Sequence, residues 1–209
     1  MGKFLCIGMN YKDHCTEQDV EIPTEPLVFS KFASDCIVGP GDAVAKDEHT
    51  EKLDYEVELG VVIGASVPRY TSKEDVHKYV GGFTVIHDVS ARDWQLEKNG
   101  GQWLLGKSMD GYAPIGPVIV TTDDFSIEDA HKTGIRCRVN GETLQESNTE
   151  QLVFGVDEIV AFVSRFMTLR PGDVIATGTP PGVGCFRNPQ RWLMPGDMVE
   201  CEIDGIGTL

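Results

Sequence analysis

Cysteine pairs at redox or zinc spacing are missing from this chain. No C-x-x-C occurs, and Cys6, Cys15, Cys36, Cys137, Cys185 and Cys201 lie scattered along it. That excludes a zinc-finger or thioredoxin-like reading. Six isolated thiols fit an intracellular reducing compartment, cytoplasm or mitochondrial matrix, where they act as small buried apolar groups. Positive charge is also scarce: 18 Lys and Arg stand against 33 Asp and Glu, a net charge of −15. Nucleic acid and anionic membrane surfaces are thereby excluded as partners, because phosphate contacts need a basic patch. No apolar run approaches the ~20 residues of a membrane-spanning helix. No N-x-[ST] sequon occurs, and no signal or transit peptide is read at the start. The opening "MGKFLC" has Gly2 but Cys6 where a myristoylation signal needs Ser or Thr.

Glycine, by contrast, is plentiful at 23 residues, and short apolar runs alternate with turn signals, the pattern of a β-rich α+β domain. Neither a linker nor a low-complexity segment interrupts it, so residues 1–209 read as one domain. Pro-Gly-Asp occurs at Pro40, Pro171 and Pro195, each time before a strand-like run: "AVAK", "VIATG" and "MVECEI". Pro-Gly favours a type II turn, so these mark strand starts. "RCRVNGETLQ" reads as a hairpin turning at Asn140-Gly141. Three short helices are expected: one over "KEDVHKYV", one capped by Ser90 and ending near Gly100, and one over "DEIVAFVSRFM". The last has Ile159, Val160, Val163, Phe166 and Met167 at core-packing spacing.

"GGQWLLGKS" matches the phosphate-loop pattern G-x-x-x-x-G-K-[ST] through Gly101, Gly106, Lys107 and Ser108. A phosphate loop needs a buried strand before it and a helix after it. Polar "WQLEKNG" precedes this one, and "MDGYAPIGPV" follows, too rich in Gly and Pro to be a helix. The nucleotide reading is therefore rejected, and Lys107 needs another role.

"LDYEVELGVVIG" carries Asp54, Glu56 and Glu58 at alternate positions, on one face of a strand. An exposed edge would tolerate that repulsion; a bound cation would turn it into coordination. The buried-looking "GVVIG" continuation favours the cation. Phe83 to Val89 forms a second strand that delivers Asp88. An all-carboxylate set suits Mg²⁺ or Mn²⁺ rather than zinc or copper. His87 points to the opposite face and reads as a core histidine or one behind the ligands. His49, His77 and His131 sit in polar stretches and suggest no specific role.

With these residues in place, "YEVELGVVIG", "HDVSARDWQ", "LGKSMD" and "PGDVIATGTPPGVG", in this order, resemble the fumarylacetoacetate hydrolase family. "IGMNYKDHCTEQ" and "PLVFSKF" extend the resemblance over nearly the whole chain. The nearest branch is that of the small members: acylpyruvate hydrolases, oxaloacetate decarboxylases and oxaloacetate keto–enol tautomerases. The resemblance implies a roll of layered mixed β-sheets with short helices, in a homodimer. It implies Glu56, Glu58 and Asp88 as metal ligands and Lys107 as the active-site lysine. It also implies Arg92, Gln95 and Thr179 as substrate contacts, and His14 with Glu17 as a His-x-x-Glu pair on a lid. "SKFAS" departs from the Lys-Pro of many relatives and leaves the role of Lys31 open.

Alone, Thr179 is equally an ordinary loop hydroxyl, Arg92 a surface ion pair, and His14/Glu17 a chance spacing. Together they describe an enolate-stabilising site for a small 2-oxo acid, with Mg²⁺ or Mn²⁺ as Lewis acid and Lys107 as a point charge. Thr179 and the glycine-rich amides after it would hold the substrate carboxylate, and His14 would move a proton. The expected reaction is hydrolytic C–C cleavage of an acylpyruvate or fumarylacetoacetate-like acid. Oxaloacetate tautomerisation and decarboxylation are the alternatives. A catalytically silent, cation-binding scaffold is the reading from another class; it needs neither Lys107 nor His14 nor Glu17.

Overall fold

Residues 1–209 are described by a computed structural model. Thirteen strands and four short α-helices alternate along them. The strands are β1 (Phe4–Gly8), β2 (Leu27–Lys31), β3 (Ile37–Val38), β4 (Leu53–Asp54), β5 (Val57–Ile63), β6 (Val80–His87) and β7 (Ser90–Ala91). They continue as β8 (Ala113–Thr121), β9 (Gly134–Val139), β10 (Glu142–Asn148), β11 (Val174–Ala176), β12 (Val199–Ile203) and β13 (Gly207–Thr208). The helices are α1 (Lys12–Glu17), α2 (Leu104–Lys107), α3 (Ile127–Ala130) and α4 (Val156–Ser164).

A seven-stranded mixed sheet runs β2-β1-β11-β5-β6-β8-β3; a four-stranded sheet runs β10-β9-β12-β13, and β4 pairs with β7. Only β1–β11 and β3–β8 are parallel. Strand β5 alternates as the sequence predicts. Tyr55, Val57, Leu59, Val61 and Ile63 enter the large core with Val139, Cys201 and Ile203 of the smaller sheet. The other face of the large sheet carries a second core of Phe4, Cys6, Ile86 and Val174. Each such large side chain contributes about 1.5–3 kcal/mol when fully buried. Glu56 and Glu58 lie on this second face.

The hairpin turns at Asn140-Gly141, both at positive φ, and Val139 faces Glu142. Gly41, Gly172 and Gly196 of the three Pro-Gly-Asp turns all have positive φ. Two of the turns lead into β11 and β12, but residues 43–46 form no strand. Pairing partners, not the turn, decide whether an extended run becomes a strand, and "AVAK" meets none.

The predicted helices need three corrections. "KEDVHK" is a 3₁₀ helix. Ser90 caps nothing: it belongs to β7, and a π-helical turn over Asp93–Glu97 follows, then a 3₁₀ turn over Asn99–Gly101. In α4, Ile159, Val160 and Val163 are buried, while Phe166 lies beyond the last turn and is exposed. The helix has Gly155 before it, and His131 Nε2 accepts the Val156 N–H at 2.8 Å. His131 therefore has the structural role its polar surroundings did not suggest.

Candidate active site

Glu56 lies in the break between β4 and β5, Glu58 on β5, and Asp88 just past the end of β6. Because β5 and β6 pair antiparallel with Val57 opposite His87, the three carboxylates converge. Their oxygens all lie within 4.8 Å of one another, and all three residues are buried. The strand does not run unbroken from Leu53, so Asp54 leaves the cluster. Its carboxylate takes Arg92 Nε at 2.8 Å and the amides of Gly184 and Cys185 at 2.7 and 3.0 Å.

Three cations face these acids. Lys107 Nζ donates to Glu56 Oε2 (2.8 Å), Asp88 Oδ2 (2.9 Å) and Ser90 Oγ (2.6 Å). It gets there because Gly106 lets α2 lie against the Asp93–Glu97 turn: a Cβ at Gly106 would sit 2.6 Å from Gln95 N. The glycine-lysine pair of the phosphate-loop pattern thus serves close packing and the acid cluster. Arg92 reaches Gln95 Oε1 at 2.8 Å and lies 2.6 Å from Glu56 Oε1. Lys31, whose role the sequence left open, is fully buried, 2.7 Å from Asp88 Oδ1. It also donates to the carbonyls of Val89 (3.1 Å), Tyr112 (2.7 Å) and Lys107.

Burial raises the pKa of Glu56, but Lys107 and Arg92 outweigh it and bring the value down to about 2. Glu58 goes the other way. Burial, then Asp88 and Glu56, push it well above the usual carboxylate range, although it accepts the Gly178 N–H at 2.8 Å. Asp88 Oδ1 has the Lys31 charge beside it but no aligned hydrogen-bond donor. Glu56, Glu58 and Asp88, buried and converging, with one Asp88 oxygen lacking an aligned donor, form an all-oxygen set that fits a divalent ion. His87 points away, as expected. It is buried beside a separate cavity with Leu53 and Leu193, and burial holds its pKa down to about 3.

Above the cluster lies a cavity of about 60 Å³. Of the residues singled out in the sequence it is lined by His14, Glu56, Glu58, Arg92, Gln95, Lys107 and Thr179, joined by apolar Ile7, Phe29, Trp103 and Phe186. Asp88 lies beneath. Glu17 stands behind His14: on α1 the two are three residues apart, and His14 Nδ1 meets Glu17 Oε2 at 2.7 Å. That leaves the other imidazole nitrogen without a protein partner. The Phe186 ring stands edge-on to the imidazole, 5.9 Å between centroids.

The glycine-rich loop after β11 differs from expectation. The Gly178 and Gly182 amides hold the protein's own Glu58 and Glu17, both at 2.8 Å. Thr179 Oγ1 donates to Val57 O at 3.0 Å and accepts Gln145 Nε2 at 2.8 Å. Its backbone N–H takes no protein acceptor. Gln145, fully buried, also accepts the Val57 N–H at 3.0 Å and so ties this loop to the acid strand. Nothing local in "GETLQ" signals that role.

Residues 3–209 match the family described as Fumarylacetoacetate (FAA) hydrolase C-terminal. Mitochondrial oxaloacetate tautomerases of Xenopus laevis and Homo sapiens are each 54% identical over 207 residues, 99% of this chain. The chain spans 64% and 65% of their lengths, just under two thirds. Among solved structures, a fumarylacetoacetate hydrolase from Exiguobacterium antarcticum is 43% identical with a TM-score of 0.89, covering 99% of this chain and 73% of that one. A 5-carboxymethyl-2-hydroxymuconate delta-isomerase from Mycobacterium smegmatis is 36% identical with a TM-score of 0.86, covering 100% and 76%. No helix here is long and apolar enough to cross a membrane.

Proposed function

We propose that this chain, which belongs to the fumarylacetoacetate hydrolase family, is an enzyme that interconverts the keto and enol forms of oxaloacetate. The observation that carries this reading is the 54% identity, over 99% of the chain, to relatives named as oxaloacetate tautomerases. It moves tautomerisation ahead of the C–C hydrolysis expected first from the sequence.

Glu56, Glu58 and Asp88 would hold Mg²⁺ or Mn²⁺, which supplies Lewis-acid stabilisation of negative charge on the 2-oxo oxygen. The chain's own groups do the rest. Glu17 fixes the imidazole through Nδ1, so the proton on that nitrogen points at the carboxylate and Nε2 is left as the base. His14 Nε2 takes the proton from the carbon between the two carbonyls and delivers it to the 2-oxo oxygen, completing the enol; in the reverse direction it takes the enol O–H proton and returns it to that carbon. Lys107, held by two carboxylates and Ser90, keeps a fixed positive charge beside the developing enolate. Arg92 faces the cavity with Gln95 as a clamp for the distal carboxylate. The free backbone N–H of Thr179, rather than its committed hydroxyl, suits the carboxylate next to the 2-oxo group.

Freshly dissolved enol-oxaloacetate, followed by ultraviolet absorbance with Mg²⁺ present, tests the proposal. Rapid loss of the enol signal without pyruvate or CO₂ is expected, slowed about a hundredfold or more by His14→Ala. Equal amounts of acetate and pyruvate from acetylpyruvate, with no acceleration of enol decay, would make the protein a C–C hydrolase instead.

A further inference from the structure

The imidazole of His14 is aimed by Glu17, and Glu17 has a second anchor outside its own helix. Its Oε1 accepts the Gly182 N–H at 2.8 Å while Oε2 meets His14 Nδ1 at 2.7 Å. Both oxygens are therefore fixed, one by the base and one by a loop peptide. The next peptide along, on the other side of the Gly182 Cα, is clamped as well. The Gly182 carbonyl accepts Arg187 Nε at 3.0 Å and the Tyr55 hydroxyl at 3.1 Å, and Arg187 Nη2 donates to the Leu144 carbonyl. A residue with a side chain cannot stand in for Gly182. Its φ is +102° and a Cβ would lie 2.1 Å from Leu144 O.

We propose that Arg187 is a positioning residue for the His14 base, acting through the backbone of Gly182 and through Glu17. The proposal rests on the reading of His14 as the proton-transfer group. Arg187 lines the open groove at the mouth of the cavity with Glu17, Gly182 and Phe186, and does not line the cavity itself. It therefore reaches the reaction only along this chain of hydrogen bonds. Two donors on the Gly182 carbonyl, one of them charged, fix the 182–183 peptide and so hold the residue whose own N–H, on the preceding peptide, meets Glu17. Without Arg187 the Gly182 carbonyl keeps the Tyr55 hydroxyl alone, and Gly182 is free to rotate and turn its own N–H away from Glu17. Glu17 would then lose one anchor, and the imidazole its fixed orientation and tautomer.

The test is a cycle of Arg187→Met and His14→Ala, singly and together, in the Mg²⁺-loaded protein with enol-oxaloacetate. Arg187→Met should lower kcat about tenfold, as loss of a residue that orients a reactive group does, and leave KM and Mn²⁺ affinity within about twofold. In the His14→Ala background the same substitution should do nothing more. Nitrogen NMR of labelled histidine should show one His14 tautomer in the wild type and a mixture in Arg187→Met. Arg187→Lys should recover part of both signals. A full Arg187→Met effect persisting without His14, or parallel losses in KM and Mn²⁺ affinity, would overturn the proposal. If Arg187→Met does not fold, Tyr55→Phe addresses the same carbonyl and should shift the same tautomer signal. An unchanged signal in it would count against the relay. A His14→Ala protein as active as wild type would instead refute the reading of His14, a separate outcome.

Discussion

Lys31→Met tests the electrostatic architecture most directly. The substitution keeps the stem's bulk and removes a fully buried ammonium. Asp88 Oδ1 then loses the cation 2.7 Å away, keeping only Lys107 on its other oxygen, and the carbonyls of Val89, Tyr112 and Lys107 lose their shared donor. Removing one partner of a buried pair costs about 3–5 kcal/mol, because the remaining charge stays desolvated. Each orphaned carbonyl would add about 1–3 kcal/mol if nothing relaxed, so the upper half of that range is expected. With a urea m-value of about 2–3 kcal/mol/M, the midpoint should fall by roughly 1.5 M. The melting temperature should drop by about 10 °C. Adding Asp88→Asn should restore part of the loss, since it removes the stranded charge. A midpoint shift under about 0.3 M would refute the reasoning, meaning that water or side-chain movement replaces the ammonium easily.

Glu56→Gln removes one anionic ligand while keeping the shape of the site. Mn²⁺ affinity by calorimetry should fall more than about a hundredfold, beyond what loss of a ligand's supporting partner costs; a change within threefold would contradict the assignment. His131→Ala should cost about 1 kcal/mol of stability at pH 8, the scale of a lost helix cap. Burial holds the His131 pKa below its ordinary value, ahead of the opposing pull of Asp157. The neutral ring accepts the Val156 N–H, so its stabilisation is complete above the unfolded value of about 6.5. It declines as pH falls below that value, because the unfolded chain takes up the proton first. Urea titrations from pH 8 to 5 should show the wild type and His131→Ala converging; parallel lines would argue against it.

Strand periodicity made β5 and β6 legible, and with them the shared face of Glu56 and Glu58 and the delivery of Asp88. The same alternation misled at Asp54, because one break in pairing at residues 55 and 56 is enough to send that carboxylate to Arg92 and the 184–185 amides. Ser90 looked like a helix cap because a polar residue before a helical pattern reads the same whether its hydroxyl meets an amide or the Lys107 ammonium. Lys31 and Gln145 were out of reach for a different reason. Their partners are backbone groups on segments far away in sequence, and such contacts leave no spacing or composition signal near either residue. Hydrolysis and tautomerisation are not separable in the sequence, because both readings call on the same carboxylates, lysine and histidine.

The large sheet carries a consequence for how the protein is made. Strand β1 pairs with β11, so Phe4 waits for Val174, and β5 has β11 as one of its two neighbours. Closing so long a loop is slow compared with forming a local hairpin. A nascent chain that has emerged only as far as α4 exposes one open edge on β1 and another on β5, next to two glutamates that repel each other. Such edges invite pairing with other chains. The amide of Gly178, which steadies Glu58, arrives with the same late segment. Chaperone dependence and aggregation during synthesis should therefore track the time taken to translate residues 165–178, and slowing translation there should lower soluble yield without changing the finished enzyme.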